Sequence, residues 1–374
     1  LEAKGLEYVT FSGIEFSYAA WLHPSTNDGL PDIQAGCHFL GNPDMDSWVE
    51  SPANIIFRRS SHVVLQVYSY IVSPPPPPLV PHTALTIKIA GLLFEHLGAT
   101  GVAFIEASQH IQILENEFTD NPVVPFKLGK LLIRSGISPS RTLTTTLTLL
   151  TCVFPYQRNP EEFNGHMAIY QNLIKNVAVE YSGCVGLFAG YLVNTTIAHN
   201  DIEELPYTGI SLGWGWDAKT SYARDNHILN NKIQNVVLKL SDGGGIYTLG
   251  PQPGSKVRGN YIHNVKNLYA GIYHDEGSAF FDTYHNLILE VKVLFPRPPT
   301  LRLYKSALVK QEWTRLNYGS AHDLNVHDCF TDQPTFHTDA KKSTIKDTVI
   351  LQKDPQTWPV QAKAIRDNAG RKEN

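Results

Sequence analysis

Apolar positions along the chain recur at long, near-constant intervals instead of every three or four residues. Asn172-Leu-Ile-Lys-Asn-Val177 returns as Asn200-Asp-Ile-Glu-Glu-Leu205, Asn231-Lys-Ile-Gln-Asn-Val236, Asn260-Tyr-Ile-His-Asn-Val265 and Asn286-Leu-Ile-Leu-Glu-Val291. Asn116-Glu-Phe-Thr-Asp-Asn121 is a weaker copy. The leading asparagines are 28, 31, 29 and 26 residues apart. A repeat of this length demands one supersecondary unit per copy, each unable to bury its apolar side alone. A helical unit would need 3.6-residue spacing over ten or more residues, which is absent. Each unit instead holds short alternating β-branched runs separated by Gly, Asn and Asp, the mark of strands and turns.

The pattern therefore predicts an all-β chain, a single-stranded right-handed parallel β-helix, or solenoid. Each coil pairs with the next at about 4.8 Å, so equivalent side chains stack. Ile174, Ile202, Ile233, Ile262 and Ile288 are expected as one interior column, and the asparagines as a hydrogen-bonded ladder. One domain over 1–374 is expected, with its best-defined coils at 165–291 and a C-terminal cap, partly helical, at 340–374. Three stretches interrupt it: 66–90 with Pro74 to Pro78, 122–155 with a Thr/Leu run, and 292–318. Long loops bulging from the coils would explain them. Translated introns are the preferred reading, because the flanking fragments join sensibly once each stretch is removed.

Composition narrows the class. The chain has 374 residues, 42% hydrophobic and 18% charged, enough to bury a core. A net charge of -4 argues against a nucleic-acid partner. No apolar run reaches the roughly 18 residues of a membrane span. Cys37, Cys152, Cys184 and Cys329 are far apart with no CxxC, which argues against a zinc module and leaves two disulfides or none.

Candidate chemistry is concentrated between 203 and 285. Tyr207-Thr-Gly-Ile-Ser-Leu-Gly-Trp-Gly-Trp-Asp217, Asp242-Gly-Gly-Gly-Ile-Tyr-Thr-Leu-Gly250 and Gly271-Ile-Tyr-His-Asp-Glu-Gly277 form the richest stretch of Gly, aromatic and acidic residues. Glycines permit close approach by a ligand. Trp214 and Trp216, if their run is extended, point the same way and suit stacking on sugar rings; capping of the interior is the competing role. Asp242, Asp275 and Glu276 are the candidate catalytic carboxylates, since glycosidic hydrolysis needs a proton donor and a nucleophile or base. Tyr247, Tyr273 and His274 join the two tryptophans as candidate substrate-binding residues. Asp217 and Asp282 are reserves. No metal-ligand spacing and no cofactor motif stands out.

Register decides whether the two aspartates meet. Aligning Asp242 with Asp275 stacks them on adjacent coils. Aligning Gly245-Ile-Tyr247 with Gly271-Ile-Tyr273 offsets them by seven positions, over about 20 Å of extended chain.

Asp242-Gly-Gly-Gly-Ile-Tyr-Thr-Leu-Gly-Pro-Gln-Pro-Gly254, Arg258-Gly-Asn-Tyr-Ile-His263 and Gly271-Ile-Tyr-His-Asp-Glu-Gly-Ser278 resemble right-handed β-helix proteins of the pectin-lyase-like superfamily. More narrowly they resemble the group containing glycoside hydrolase family 141, as does the ending Trp358-Pro-Val-Gln-Ala-Lys-Ala-Ile-Arg-Asp-Asn-Ala-Gly370. The resemblance implies a secreted, extracellular glycosidase acting on plant cell-wall polysaccharide of the fucosylated-pectin or xylan type. It implies aspartates on neighbouring coils as catalytic acids, carried over to Asp242 and Asp275. The expected partner is a polysaccharide or oligosaccharide, with no organic cofactor, no nucleic acid and no membrane, for a monomeric protein. A polysaccharide lyase on the same fold and a non-catalytic glycan-binding β-helix are the alternatives, the former disfavoured by the few Lys and Arg near 242–276.

Overall fold

The computed structural model describes residues 1–6, 10–12, 16–19, 21, 32–33, 37–39, 48–60, 64–66, 87–90, 93–121, 126–128, 163–266, 269–292, 312–317 and 320–372. Three long sheets run the length of the molecule, with ten, ten and twelve strands. Within each, every neighbouring pair on these coils is parallel, as in Lys232–Val236 beside Tyr261–Val265. The chain visits the three sheets in rotation, which makes a parallel β-helix. The first sheet carries Leu187–Ala189, Ile210–Leu212, Ile246–Thr248, Ala270–His274 and Glu312–Leu316 in succession.

Stacking follows the repeat. Ile174, Ile202, Ile233, Ile262 and Ile288 are Cα partners on successive coils and are fully buried. Interior stacking of β-branched side chains removes apolar surface from water at each added coil. The asparagines form the expected ladder: Nδ2 of Asn172, Asn200, Asn231 and Asn260 donates to Oδ1 of the next at 2.8, 2.9, 3.0 and 3.0 Å. The same Oδ1 atoms also accept a backbone N–H from the previous coil, as Asn231 does from Asn200 at 3.0 Å. The residue before each ladder asparagine takes a left-handed conformation, as at Gln171, His199, Asn230 and His285. The chain turns its corner there, and the buried amide satisfies backbone groups that the turn removes from the sheets.

The C-terminal helix Val360–Asn368 packs Ala362 and Ile365 against Leu287, Leu289, Phe330 and Trp358. Beyond it the chain returns along the coils, where Gly370 N–H donates to Asn230 O and Lys372 N–H to Gln171 Oε1.

The three interrupting stretches are narrower than the repeat suggests. Val64–Gln66, Ile87–Ala90, Phe126–Leu128 and Glu312–Leu316 are all sheet strands, so the ends of the stretches belong to coils. Their centres lie outside the described residues. Val64–Gln66 and Ile87–Ala90 pair directly in the third sheet. Cys184 and Cys329 are buried and outside any disulfide, which leaves no room for two disulfides among the four cysteines. Among the described residues no helix is long and apolar enough to cross a membrane.

Candidate active site

Strands Ile246–Thr248 and Ala270–His274 pair with Tyr247 opposite Tyr273, and Arg315 of Glu312–Leu316 continues the row. Alternation then decides each side chain's direction. Ile246, Ile272 and Thr314 face the interior, while Tyr247, Tyr273 and Arg315 stand on the outer face. The two tyrosine rings meet edge to face, with centroids 5.3 Å apart. Both are nearly buried, at 2% exposure, beneath Trp216 and Tyr269.

This is the register that offsets Asp242 and Asp275 by seven positions, yet the aspartates come together. The estimate of over 20 Å assumed an extended chain. Asp242 instead has a left-handed φ of 65° and lies ahead of its strand, whereas Asp275 follows its own strand. The outward tyrosines span the gap. Tyr273 Oη lies 3.5 Å from Asp242 Oδ1, and Tyr247 Oη donates to Asp275 Oδ2 at 2.5 Å. The Asp275 charge is close enough to raise the pKa of Asp242.

Asn317 completes the arrangement. Its Nδ2 donates to Asp275 Oδ1 and, at 3.0 Å, to Tyr273 Oη. Its own N–H donates to the His274 carbonyl at 2.9 Å, so the coil-to-coil ladder sets its position. Tyr207 Oη donates to the Asp242 carbonyl at 2.5 Å and holds the left-handed turn from below. Arg315 pairs with Glu312 at 2.9 Å, and its guanidinium lies 4.7 Å from the Tyr269 ring centre.

The electrostatics separate the carboxyls. Asp242 is exposed as a residue, but its carboxyl is turned into this crowd. Desolvation first, and the Asp275 charge second, raise its pKa above the ordinary value. Glu276, half-buried, is raised by the same causes in the same order, with Asp242 third. Burial and the Asp275 charge likewise push Tyr247 and Tyr273 far up, so both remain proton-bearing donors. Asp275 is buried and accepts from two donors, an arrangement made for a carboxylate acceptor. One carboxylate held by donors beside two carboxyls that retain protons more readily is a general acid–base arrangement.

The other sequence candidates divide. His274 is fully buried inside the helix, with Nδ1 on Thr248 Oγ1 at 2.8 Å and Nε2 on Thr283 Oγ1 at 3.0 Å. Alternation turns it away from the outer face, so it is not a substrate contact. Trp214 is 3% exposed and packs edge-on to Phe188, which corrects its assignment to a sugar platform: it covers the core. Gly213 and Gly215 have φ of 99° and 91°, so the run is not extended and the tryptophans meet at 61° instead of pointing together. Trp216 remains half-exposed against Tyr247 and Tyr273. Gly243 serves coil packing and not ligand approach, since a Cβ there would meet Thr208 Oγ1 at 2.3 Å. Asp282 lies in the third sheet, bonded to Asn325 and His327. Asn317, Arg315, Tyr207 and Tyr269 were not singled out from sequence; Arg315 and Asn317 sit inside the third interrupting stretch, where the repeat gave no signal. Among the described residues no group of three or more His, Cys, Asp or Glu is placed to hold a metal.

Fold and site together define a parallel β-helix with a carboxylate cluster on its first sheet. Among solved structures the chain is similar to a glycoside hydrolase, at 21% identity and a TM-score of 0.60, over 98% of this chain and 51% of that one. It is also similar to the periplasmic alginate epimerase AlgG, at 12% identity and a TM-score of 0.46, over 84% of this chain and 64% of that one. A GH136 lacto-N-biosidase from Eubacterium ramulus matches at 10% identity and a TM-score of 0.46, over 94% and 62%. The first likeness shows the parallel β-helix fold, and the chain spans about half the length of that glycoside hydrolase. No protein-family model matches the chain, and no curated protein does.

Proposed function

We propose that this protein is a glycoside hydrolase acting on plant cell-wall polysaccharide of the fucosylated-pectin or xylan type, in an extracellular setting. The observation that carries the reading is the clustering of Asp242 and Asp275 around Tyr273 and Asn317, Tyr273 bonding Asp242 and Asn317 bonding both Tyr273 and Asp275, with pKa-raising causes acting on Asp242. Asp275 acts at the anomeric carbon, as nucleophile or through a water. Asp242 gives its proton to the departing glycosidic oxygen, and Glu276 is the alternative donor. Trp216 offers a half-exposed ring to a sugar face beside the acids. The resemblance of 242–254 and 271–278 to glycoside hydrolase family 141 points to the same class of substrate.

Charge speaks against chemistry on a uronate. Among the described residues around the acids Arg315 is the basic side chain, and it is paired with Glu312, so a carboxylate on the sugar being cleaved meets Asp242, Asp275 and Glu276 without a counter-charge. The test is to incubate the protein with xylan and with fucosylated pectin and to measure reducing ends and ultraviolet absorbance. Reducing ends without absorbance, abolished in Asp242→Asn and Asp275→Asn, are expected. Unsaturated, absorbing product would identify a lyase, and retention of glycan without product a binding protein; either overturns the reading.

A further inference from the structure

The two acids do not hold each other at this spacing; neutral donors do. A carboxylate only accepts hydrogen bonds, so the amide of Asn317 must turn Nδ2, not Oδ1, toward Asp275. That same Nδ2 occupies a lone pair of Tyr273 Oη at 3.0 Å, and the hydroxyl proton of Tyr273 is then free to point at Asp242. Asn317 is itself 6% exposed and is fixed through its N–H to the His274 carbonyl. From this geometry we infer that Asn317 and Tyr273 are positioning residues, a directed amide-to-hydroxyl relay that holds Asp275 ready as an acceptor and aims the Tyr273 proton at Asp242.

The inference rests on the acid pair of the proposed hydrolase and deepens it. The remaining titratable or charged groups facing the pair are Tyr207, Tyr247, Tyr269, Glu276 and Arg315, with Glu312 acting through Arg315. Tyr247 donates to Asp275 and Tyr207 to the Asp242 carbonyl, whereas Tyr273 bonds the Asp242 carboxyl and takes the same Asn317 amide that holds Asp275. Removing a donor from an ionised carboxylate makes that form less favourable. Loss of Asn317 thus acts on Asp275 directly and on Asp242 through Tyr273, while loss of the Tyr273 hydroxyl acts mainly on Asp242.

The experiment is a carboxyl-carbon NMR titration of full-length protein labelled at aspartate Cγ, with the two signals assigned by their loss in Asp242→Asn and Asp275→Asn. In Asn317→Ala the Asp242 step is expected to move to higher pH, because Tyr273, released from the amide, no longer aims its proton at Asp242. In Tyr273→Phe the Asp242 step moves up as well, since its donor is lost. Asn317→Asp preserves the shape and replaces the donor by a further carboxylate, so the same upward movement is expected in a variant that keeps its packing. On xylan or fucosylated pectin, Asn317→Ala lowers kcat/KM by about 10²-fold and moves the acid limb of its pH profile upward. Titrations of Asn317→Ala and Asn317→Asp that overlay the wild type, or that move downward, overturn the inference. The titration needs no substrate, so it stands apart from the hydrolase reading, which fails if Asp242→Asn and Asp275→Asn retain activity.

Discussion

Tyr273 and Asp242 are joined at 3.5 Å between hydroxyl and carboxylate although Asp242 precedes the first of two paired strands and Tyr273 lies near the end of the second. The outward tyrosine brings the acid of one coil into contact with the machinery of the next. Its bond lowers the pKa of Asp242, but burial and the Asp275 charge outweigh it, and the net direction is upward.

That direction fixes a pH prediction. A carboxyl with a raised folded-state pKa favours the native state most below its ordinary value, near 4, and this contribution is lost as pH rises through the folded value. Asp242→Asn removes the loss. The variant is expected to be inactive yet equal or superior to wild type in stability at pH 7, with the advantage shrinking toward pH 4. Thermal melts of both proteins across pH 4–8 check this; a variant markedly less stable at pH 7 than at pH 4, relative to wild type, contradicts it.

His274 carries the opposite sign. Burial alone lowers its pKa to about 3, far below that of an exposed imidazole. Its neutral form supports the fold fully above about pH 6.5, and the support is lost at roughly 1.4 kcal/mol per unit as pH falls toward 3. Replacement by Gln, which keeps a donor and an acceptor for Thr248 and Thr283, is expected to flatten the acid side of the stability profile. A chemical-denaturation series between pH 4 and 7 with equal slopes for both proteins would refute this.

The fold was legible because one column of isoleucines and one ladder of asparagines repeat at a period that only stacked coils satisfy. The candidate carboxylates could be picked out in sequence, but the side chains that surround them could not. Asp242, Asp275 and Glu276 stand in Gly-rich stretches that break the repeat, and acids in such places invite a chemical reading. Asn317 and Arg315 follow a stretch without repeat, so nothing in sequence tied them to the coil of Asp275; only the pairing of Leu316 with His274 does so. His274 and Trp214 were misjudged for a different reason. Direction along a strand depends on register, and the left-handed φ of Gly213 and Gly215 cancels the alternation that would have aligned the two tryptophans.

The asparagine ladder is expected to be expensive to interrupt. Asn231 accepts from the N–H and Nδ2 of Asn200 and donates to Ile197 O and Asn260 Oδ1, all buried. Asn231→Ala orphans several of these groups at about 1–3 kcal/mol each, so a loss of about 3 kcal/mol or more is expected. Urea unfolding measures it, and a loss below about 1 kcal/mol would mean that water replaces the amide in the corner.

Trp214 and Trp216 test the difference between covering the core and binding a sugar. Trp214 is nearly buried among Phe188 and its neighbours, so Trp214→Ala opens a cavity and is expected to cost about 3–5 kcal/mol. Trp216 packs on the tyrosines with part of its ring open to solvent, so Trp216→Ala removes less from the core. Its expected effect is on substrate: KM on the responsive polysaccharide rises about tenfold, as loss of one aromatic stacking contact of about 1.4 kcal/mol implies, with kcat changed less. Equal losses of stability in the two variants, with no separate change in KM for Trp216→Ala, would place both rings in the core and remove Trp216 from the proposed sugar contacts.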